Sequence, residues 1–250
     1  MTMCDSAPMI HPSPAAIPER RVFLYTIEGD LRFISHRDTI RLFTRALARA
    51  SLPVRYSEGF NPHPKLSFPV PRPVGVASKA EAVVVEFEEP VEGSEAIRRL
   101  TQQMPAGLTM LKARRLQPRE RLEPTSVRYR LDAAGLPHNG KEPADAVRAI
   151  LDSKSIMVER ANPKGRVARP LDVRPFITDL RLDGRDRIEF QLRFINGRTV
   201  RPAEIGGLFG FNVRTIHHRI SRLHIGWLDE KFKAYDFYDR DSNAIQNEKT

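Results

Sequence analysis

The sequence predicts an α+β protein of two tandem ferredoxin-like units, each with the order β-α-β-β-α-β. Three observations carry this. The first hundred residues alternate β-branched and aromatic runs with two segments of helical periodicity; a polar, proline-ended stretch follows; the same order then recurs more loosely. At 250 residues, 40% of them hydrophobic and 20 of them proline, the chain can fill cores in two domains of roughly 100 residues and still hold many loops.

Residues 1–20 contain Pro, Ser and Ala but no apolar run behind a basic start, so they read as a disordered leader. The first unit is expected over 21–113. A strand over 21–27 is turned by Gly29-Asp30, and Ser35 with Asp38 three positions on makes an approximate capping box for a helix through about Ala50. Leu52-Pro53 ends that helix. Short extended runs are expected at 54–56 and 65–70, a strong strand at 82–87, a helix at 94–104 with Ile97, Leu100 and Met104 on one face, and a closing strand at 108–111. A linker over 114–125 leads to the second unit, 126–228, with strands at 127–131, 156–160, 187–194 and 220–228 and helices at 143–151 and 203–209. For residues 203–220 a helix-turn-helix is the alternative, which would place Arg214, His217 and His218 on a recognition helix. Residues 229–250 form an acidic, polar tail, expected to be disordered.

The single cysteine, Cys4, lies in the leader, which excludes intrachain disulfides and thiolate-bound zinc or iron–sulfur clusters. A reducing, cytoplasmic setting is the expectation. The seven histidines are scattered apart from His217-His218, and no His/Asp/Glu set has ligand spacing, so neither metal nor cofactor is expected. No stretch approaches the roughly 20 apolar residues of a membrane span. The formal net charge of +10 favours a polyanionic partner, because neutralised phosphates release counterions.

On the first helix Arg37, Arg41, Arg45 and Arg49 recur every four residues, forming a ridge that drifts slowly round the cylinder. Ile40, Phe43, Ala46, Leu47 and Ala50 take the opposite arc, expected to face the sheet, and His36 projects toward that arc as a packed residue. Solvated faces usually alternate sign, whereas only Asp38 relieves this one. Arginine's planar fork binds two phosphate oxygens at once, so the ridge is expected to contact phosphate.

The loop Tyr56-Ser57-Glu58-Gly59-Phe60-Asn61-Pro62-His63-Pro64-Lys65 follows. Pro62 and Pro64 hold His63 in an extended conformation, and Gly59 permits a turn. Tyr56 and Phe60 are candidates to stack on bases, Asn61 offers donor and acceptor, and His63 and Lys65 can reach phosphate or a 2′-hydroxyl. As catalytic candidates, His63 would work with Tyr56 or Lys65 in acid–base roles. In the second half Lys154, Arg160, Lys164, Arg166, Arg169 and Arg174 surround a turn at Pro163-Lys164-Gly165, where Lys164 and Arg166 are candidates for a second phosphate contact. Asp172 and Arg174, two apart, are expected to pair on one strand face.

Arg32-Phe33-Ile34-Ser35-His36-Arg37-Asp38, the run from Arg41 to Arg45-Ala46, Leu52-Pro53-Val54-Arg55 into the Tyr56–Lys65 loop, and Pro73-Val74-Gly75-Val76 together resemble the radical-SAM-linked proteins. These are a bacterial family of uncharacterised function, encoded beside or fused to a radical SAM protein. The resemblance is dense over 32–81 and looser from Ile156-Met157-Val158-Glu159-Arg160 to Asp172-Val173-Arg174-Pro175. It departs from the family pattern at Arg37, where an apolar residue is commoner, and at Arg72, where leucine is expected. The resemblance implies a radical SAM partner and transfers no catalytic residue; with one cysteine the chain cannot itself hold such an enzyme's cluster.

Three functions follow as expectations. The first is a non-catalytic RNA-binding or substrate-presenting accessory protein working with a radical SAM enzyme in RNA modification or processing. The second is a metal-independent endoribonuclease using His63 with Tyr56 or Lys65. The third is a protein-only adaptor whose basic face meets an acidic partner. The oligomeric state and the identity of the RNA are left open.

Overall fold

The computed structural model describes residues 18–136, 142–160 and 169–228. In chain order the elements are β1 (Glu19–Ile27), α1 (His36–Arg49), β2 (Leu66–Ser67), β3 (Ala77–Phe87), α2 (Gly93–Thr101), β4 (Leu108–Leu116), β5 (Pro124–Asp132), α3 (Pro143–Asp152), β6 (Met157–Arg160), β7 (Arg169–Asp172), β8 (Ile177–Leu182), β9 (Arg187–Arg193), α4 (Pro202–Leu208) and β10 (Ile220–Trp227). The class is α+β, with one large mixed sheet and, among the described residues, four α-helices.

Across the sheet the order is β4-β1-β3-β10-β5-β9-β8, with β2 also on β3, while β6 and β7 form a separate antiparallel pair. All pairings are antiparallel except that of β3 with β10, which is parallel through Ser221↔Ala77 and Arg222↔Ser78. β3 explains how the two halves join. β1 occupies one edge of it along nearly its whole length. On the other edge the two-residue β2 takes only the C-terminal end (Leu66↔Val85, Ser67↔Val84), leaving the N-terminal end for β10.

β1 and β3 are covered on both faces, which is why Ala82-Val83-Val84-Val85 reads as an unbroken apolar run. Phe23, Tyr25, Val83 and Val85 pack with Phe43, Leu47 and Leu100 beneath α1 and α2. Val22, Leu24, Ala82 and Val84 enter a second core that also contains Tyr129, Phe190 and Ile205, so the two halves share it.

Several expectations change. The strand expected at 82–87 begins at Ala77, and the ends of the 114–125 stretch belong to β4 and β5. β8 was not anticipated, because Thr178, Asp179 and Arg181 break up its apolar residues. Ile40 is 37% exposed, and the inward place near it is taken by Thr39, whose hydroxyl donates to the Ser35 carbonyl. A helical projection puts Ile40 about 75° from the centre of the buried arc, on its flank. α4 is followed by a 3-10 turn at Ile216–Arg219 and then by β10, so the helix-turn-helix alternative is excluded. The alternating burial of Ile220, Arg222 and Leu223 to Trp227 fixes that last segment as a strand. Asp172 and Arg174 do not pair: Asp172 Oδ1 accepts backbone N–H groups of Ile156 and Arg174, and the Arg174 guanidinium donates to the carbonyls of Leu151, Ser153 and Ile177. Of the leader expected over 1–20, Glu19 and Arg20 belong to β1; its residues 1–17, including Cys4, lie outside the described residues, as do the tail from 229 and Lys164 and Arg166.

Candidate functional site

α1 starts at Ser35, whose hydroxyl accepts the Asp38 N–H at 3.1 Å and donates back to the Asp38 carboxylate at 2.6 Å. That is a compact form of the expected capping box, a type of contact worth about 1 kcal/mol. The Ser35 hydroxyl first, then Arg41, hold the Asp38 carboxyl below its usual range. Phe43, Ala46, Leu47 and Ala50 are buried, which turns Arg37, Arg41, Arg45 and Arg49 outward, all four exposed.

The four arginines are not equivalent. Arg41 pairs with Asp38 at 3.1 Å in the open. Arg49 is tied to the turn after α2: its Nε donates to Gln103 Oε1 at 3.2 Å and its Nη2 to the Gln103 carbonyl at 2.8 Å. Arg37 and Arg45 have no hydrogen-bond or ion-pair partner among the described residues. Because the ridge drifts by about 40° per four-residue step, its C-terminal end reaches an open groove of about 620 Å³ between α1 and that turn. Arg45, Arg49 and Asp38 line the groove with Leu42, Gln103 and Met104.

The loop from Arg55 to Lys65 is a narrow hairpin. Tyr56 bridges Pro64, Ser57 N–H donates to the His63 carbonyl at 2.8 Å, and Lys65 N–H to the Arg55 carbonyl at 2.8 Å. The Ser57 hydroxyl accepts the His63 N–H at 3.0 Å, fixing the proline-flanked histidine backbone. Gly59 sits at φ +120°, a conformation that glycine adopts readily, and it delivers Phe60 fully exposed at the tip. Asn61 and His63 are exposed, and Lys65 Nζ lies 3.9 Å from Glu86.

Side-chain alternation along the paired segments places Ser57, His63 and Lys65 on one face and Tyr56 with Pro64 on the other. The groove beside the ridge contains no hairpin residue. The contact with α1 is made beyond the hairpin, after β2, by Phe68, whose ring stands edge-on to Phe43 at 5.6 Å and to His36 at 5.4 Å. His36 is therefore packed on one side, as expected, although the residue remains exposed.

Arg72, where the sequence resemblance leads us to expect leucine, has a structural role. Its half-buried guanidinium donates to the carbonyls of Arg32, Pro73 and Val76 and reaches those of Leu31 and Ile34, holding the entry to α1. Leucine could offer none of these bonds.

The family profile described as "Uncharacterized protein conserved in bacteria (DUF2344)" matches residues 20–202. The chain belongs to this family. Its matched span takes in α1, the hairpin and β3 and ends at the start of α4, before β10. No curated protein matches the chain. Among solved structures, an unknown protein from Galdieria sulphuraria is similar at 11% identity and a TM-score of 0.25, covering 85% of this chain and 100% of that one.

Sequence reasoning missed a charged cluster at the join of the halves. Arg222 on β10 and Glu81 on β3 are 1% and 3% exposed and pair at 2.8 Å. Arg222 also donates to the carbonyls of Val70 and Pro71 and to the Tyr129 hydroxyl. Burial opposes its charge, but the Glu81 carboxylate together with the Tyr129 and Tyr25 phenols outweighs this and holds the guanidinium above its ordinary range. Burial, then Glu81, push the Tyr25 phenol well above its own. Tyr25, His36, Arg72 and Glu81 border a cavity of about 10 Å³ at the α1 N-terminus, about the room one water needs. The available signal was a lone charge inside each of two apolar strand runs, Ala80-Glu81-Ala82-Val83 and Ile220-Ser221-Arg222-Leu223.

Second-half arginines are mostly engaged as well. Arg160 forks onto Glu204 at 2.8 and 2.9 Å, linking β6 to α4. Arg130 and Arg181 both reach Glu189, whose carboxyl stays low because these bonds outweigh its burial. No helix among the described residues is long and apolar enough to cross a membrane.

Proposed function

We propose that this protein is a non-catalytic RNA-binding or substrate-presenting accessory protein that works with a radical SAM enzyme. The carrying observation is the ridge on α1, where four exposed arginines follow one another and Arg37 and Arg45 have no partner among the described residues. Leaving such cations unpaired costs helix stability, and a phosphate backbone is the ligand that repays it. Lys164 and Arg166 are the candidates for a second phosphate contact. The radical SAM partner rests on the sequence resemblance, and the RNA-modifying setting rests on both.

We also read each half as a ferredoxin-like unit. In each, the last strand lies outermost, followed by the first, third and second: β4-β1-β3-β2 and β10-β5-β9-β8. For the acid–base reading of the hairpin, alternation leaves His63 with Lys65 and sends Tyr56 to the opposite face.

The test is retention of cellular RNA on the protein at moderate salt. Replacing Arg37 and Arg45 with Glu is expected to lower affinity more than tenfold and to flatten its salt dependence by about 0.7 in slope per lost single-strand phosphate contact. Unchanged retention would sink the reading. A radical SAM enzyme recovered with the chain after ribonuclease treatment would show a direct protein contact as well.

A further inference from the structure

We infer that the groove between α1 and the turn after α2 seats one unpaired nucleotide of a bound RNA single strand. This rests on the RNA reading above and specifies where the strand is read. The groove's volume of about 620 Å³ falls within the range of roughly 300–1,000 Å³ found for small-ligand sites. Its walls are of two kinds. Leu31, Ile34, Leu42, Met104 and Pro105 supply an apolar surface for the face of a base. Asp38 and the amides of Gln102 and Gln103 stand beside it as groups for a base edge.

The cations are arranged in the same sense. Arg49 is held in place by its two bonds to Gln103, so its guanidinium is positioned before any ligand arrives. Arg45 lines the same groove and has no partner among the described residues. From Arg45 the ridge leads away through Arg41 to Arg37, rising about 6 Å per four-residue step. That spacing is comparable to the separation of phosphates along an extended single strand. A base in the groove with its neighbouring phosphates along the ridge uses both features at once. A duplex cannot do this, because its bases are stacked and paired and the deep groove of A-form RNA is closed to side chains.

The experiment measures binding of the full chain to one oligoribonucleotide of roughly ten nucleotides, as a single strand and as a duplex, and maps photocrosslinks from 4-thiouridine in the single strand. The single strand is expected to bind at least tenfold more tightly, with crosslinks in residues 31–42 and 102–105. Leu42→Trp, which fills the groove, is expected to remove that preference and to leave the weaker, salt-sensitive binding of the ridge. Equal binding of both forms with crosslinks outside the groove overturns this inference and leaves the RNA reading standing. Binding of neither form overturns both. The crosslink map on the unaltered chain decides the matter even if Leu42→Trp does not fold.

Discussion

The α1 ridge and the β3–β10 seam both rest on arginine, and they use it in opposite ways. Arg37 and Arg45 stand in solvent without a partner among the described residues, while Arg222 is 1% exposed and has a carboxylate, two carbonyls and a phenol around it. On the ridge, charge accumulates where water screens it and an external ligand can meet it. At the seam, charge is removed from water and tolerated only because Glu81 travels with it. A buried ion pair adds little net stability over apolar residues, but it penalises any docking of β10 that separates the two groups. On the proposed reading the ridge serves a partner, whereas the seam favours one arrangement of the two halves.

Breaking the seam is expected to give the largest effect. Arg222→Ala leaves Glu81 buried without its cation, and Glu81→Ala does the reverse; either is expected to destabilise the protein by about 3–5 kcal/mol. Replacing both, as Arg222→Met with Glu81→Leu, is expected to recover most of that loss. Urea denaturation of the three variants checks this. If the double variant is as unstable as the singles, the effect is lost packing, and the opposition between the two regions weakens.

This contrast also shows what was legible in the sequence. The ridge was, because helical spacing at 37, 41, 45 and 49 is a local property and needs no knowledge of what lies elsewhere. Phe43, Ala46 and Leu47 were legible for the same reason, whereas Ile40, on the flank of the arc, was not. Glu81 and Arg222 are separated by 141 positions, and each alone looks like a charge on a solvent-facing strand residue. Only the parallel pairing of β10 with the free end of β3 brings them together, and no periodicity encodes that pairing. The hairpin's rigidity was legible from Pro62 and Pro64, but its pairing register, which separates Tyr56 from His63, was not.

His217 offers a milder way to probe the same seam. It lies on the 3-10 turn before β10, half-buried, and its Nδ1 is buried without a hydrogen-bond partner among the described residues. Its Cβ lies 2.9 Å from where a side chain on Gly75 would begin, so it packs against the loop that enters β3. Burial first, then the charge of Arg201, lower its pKa from the ordinary 6.5, so folding favours the neutral ring. That contribution is complete above the unfolded value of 6.5 and is lost as pH falls through the lower folded value. The thermal midpoint is expected to drop between about pH 7 and pH 5, and His217→Asn is expected to make that drop shallower. An unaltered slope in His217→Asn would assign the acid sensitivity to other groups.

The smallest expected effect on stability is the sharpest test of the contrast, because its sign is reversed. Arg45 has Arg41 four residues before it and Arg49 four residues after it on the same helix. Like charges at this spacing oppose the helix by about 0.2–0.5 kcal/mol per pair. Arg45→Glu turns both repulsions into attractions, and the Glu then precedes Arg49 in the more favourable order. The variant is therefore expected to unfold at a slightly higher temperature than the parent in low salt, by a margin that disappears near 1 M salt as screening shortens to about 3 Å. The same substitution is expected to weaken RNA binding. An arginine whose reversal stabilises the fold while weakening binding is held there by a ligand and not by the protein. If Arg45→Glu instead destabilises the chain by more than about 1 kcal/mol, the ridge has a structural role, and its difference from Arg222 is one of degree.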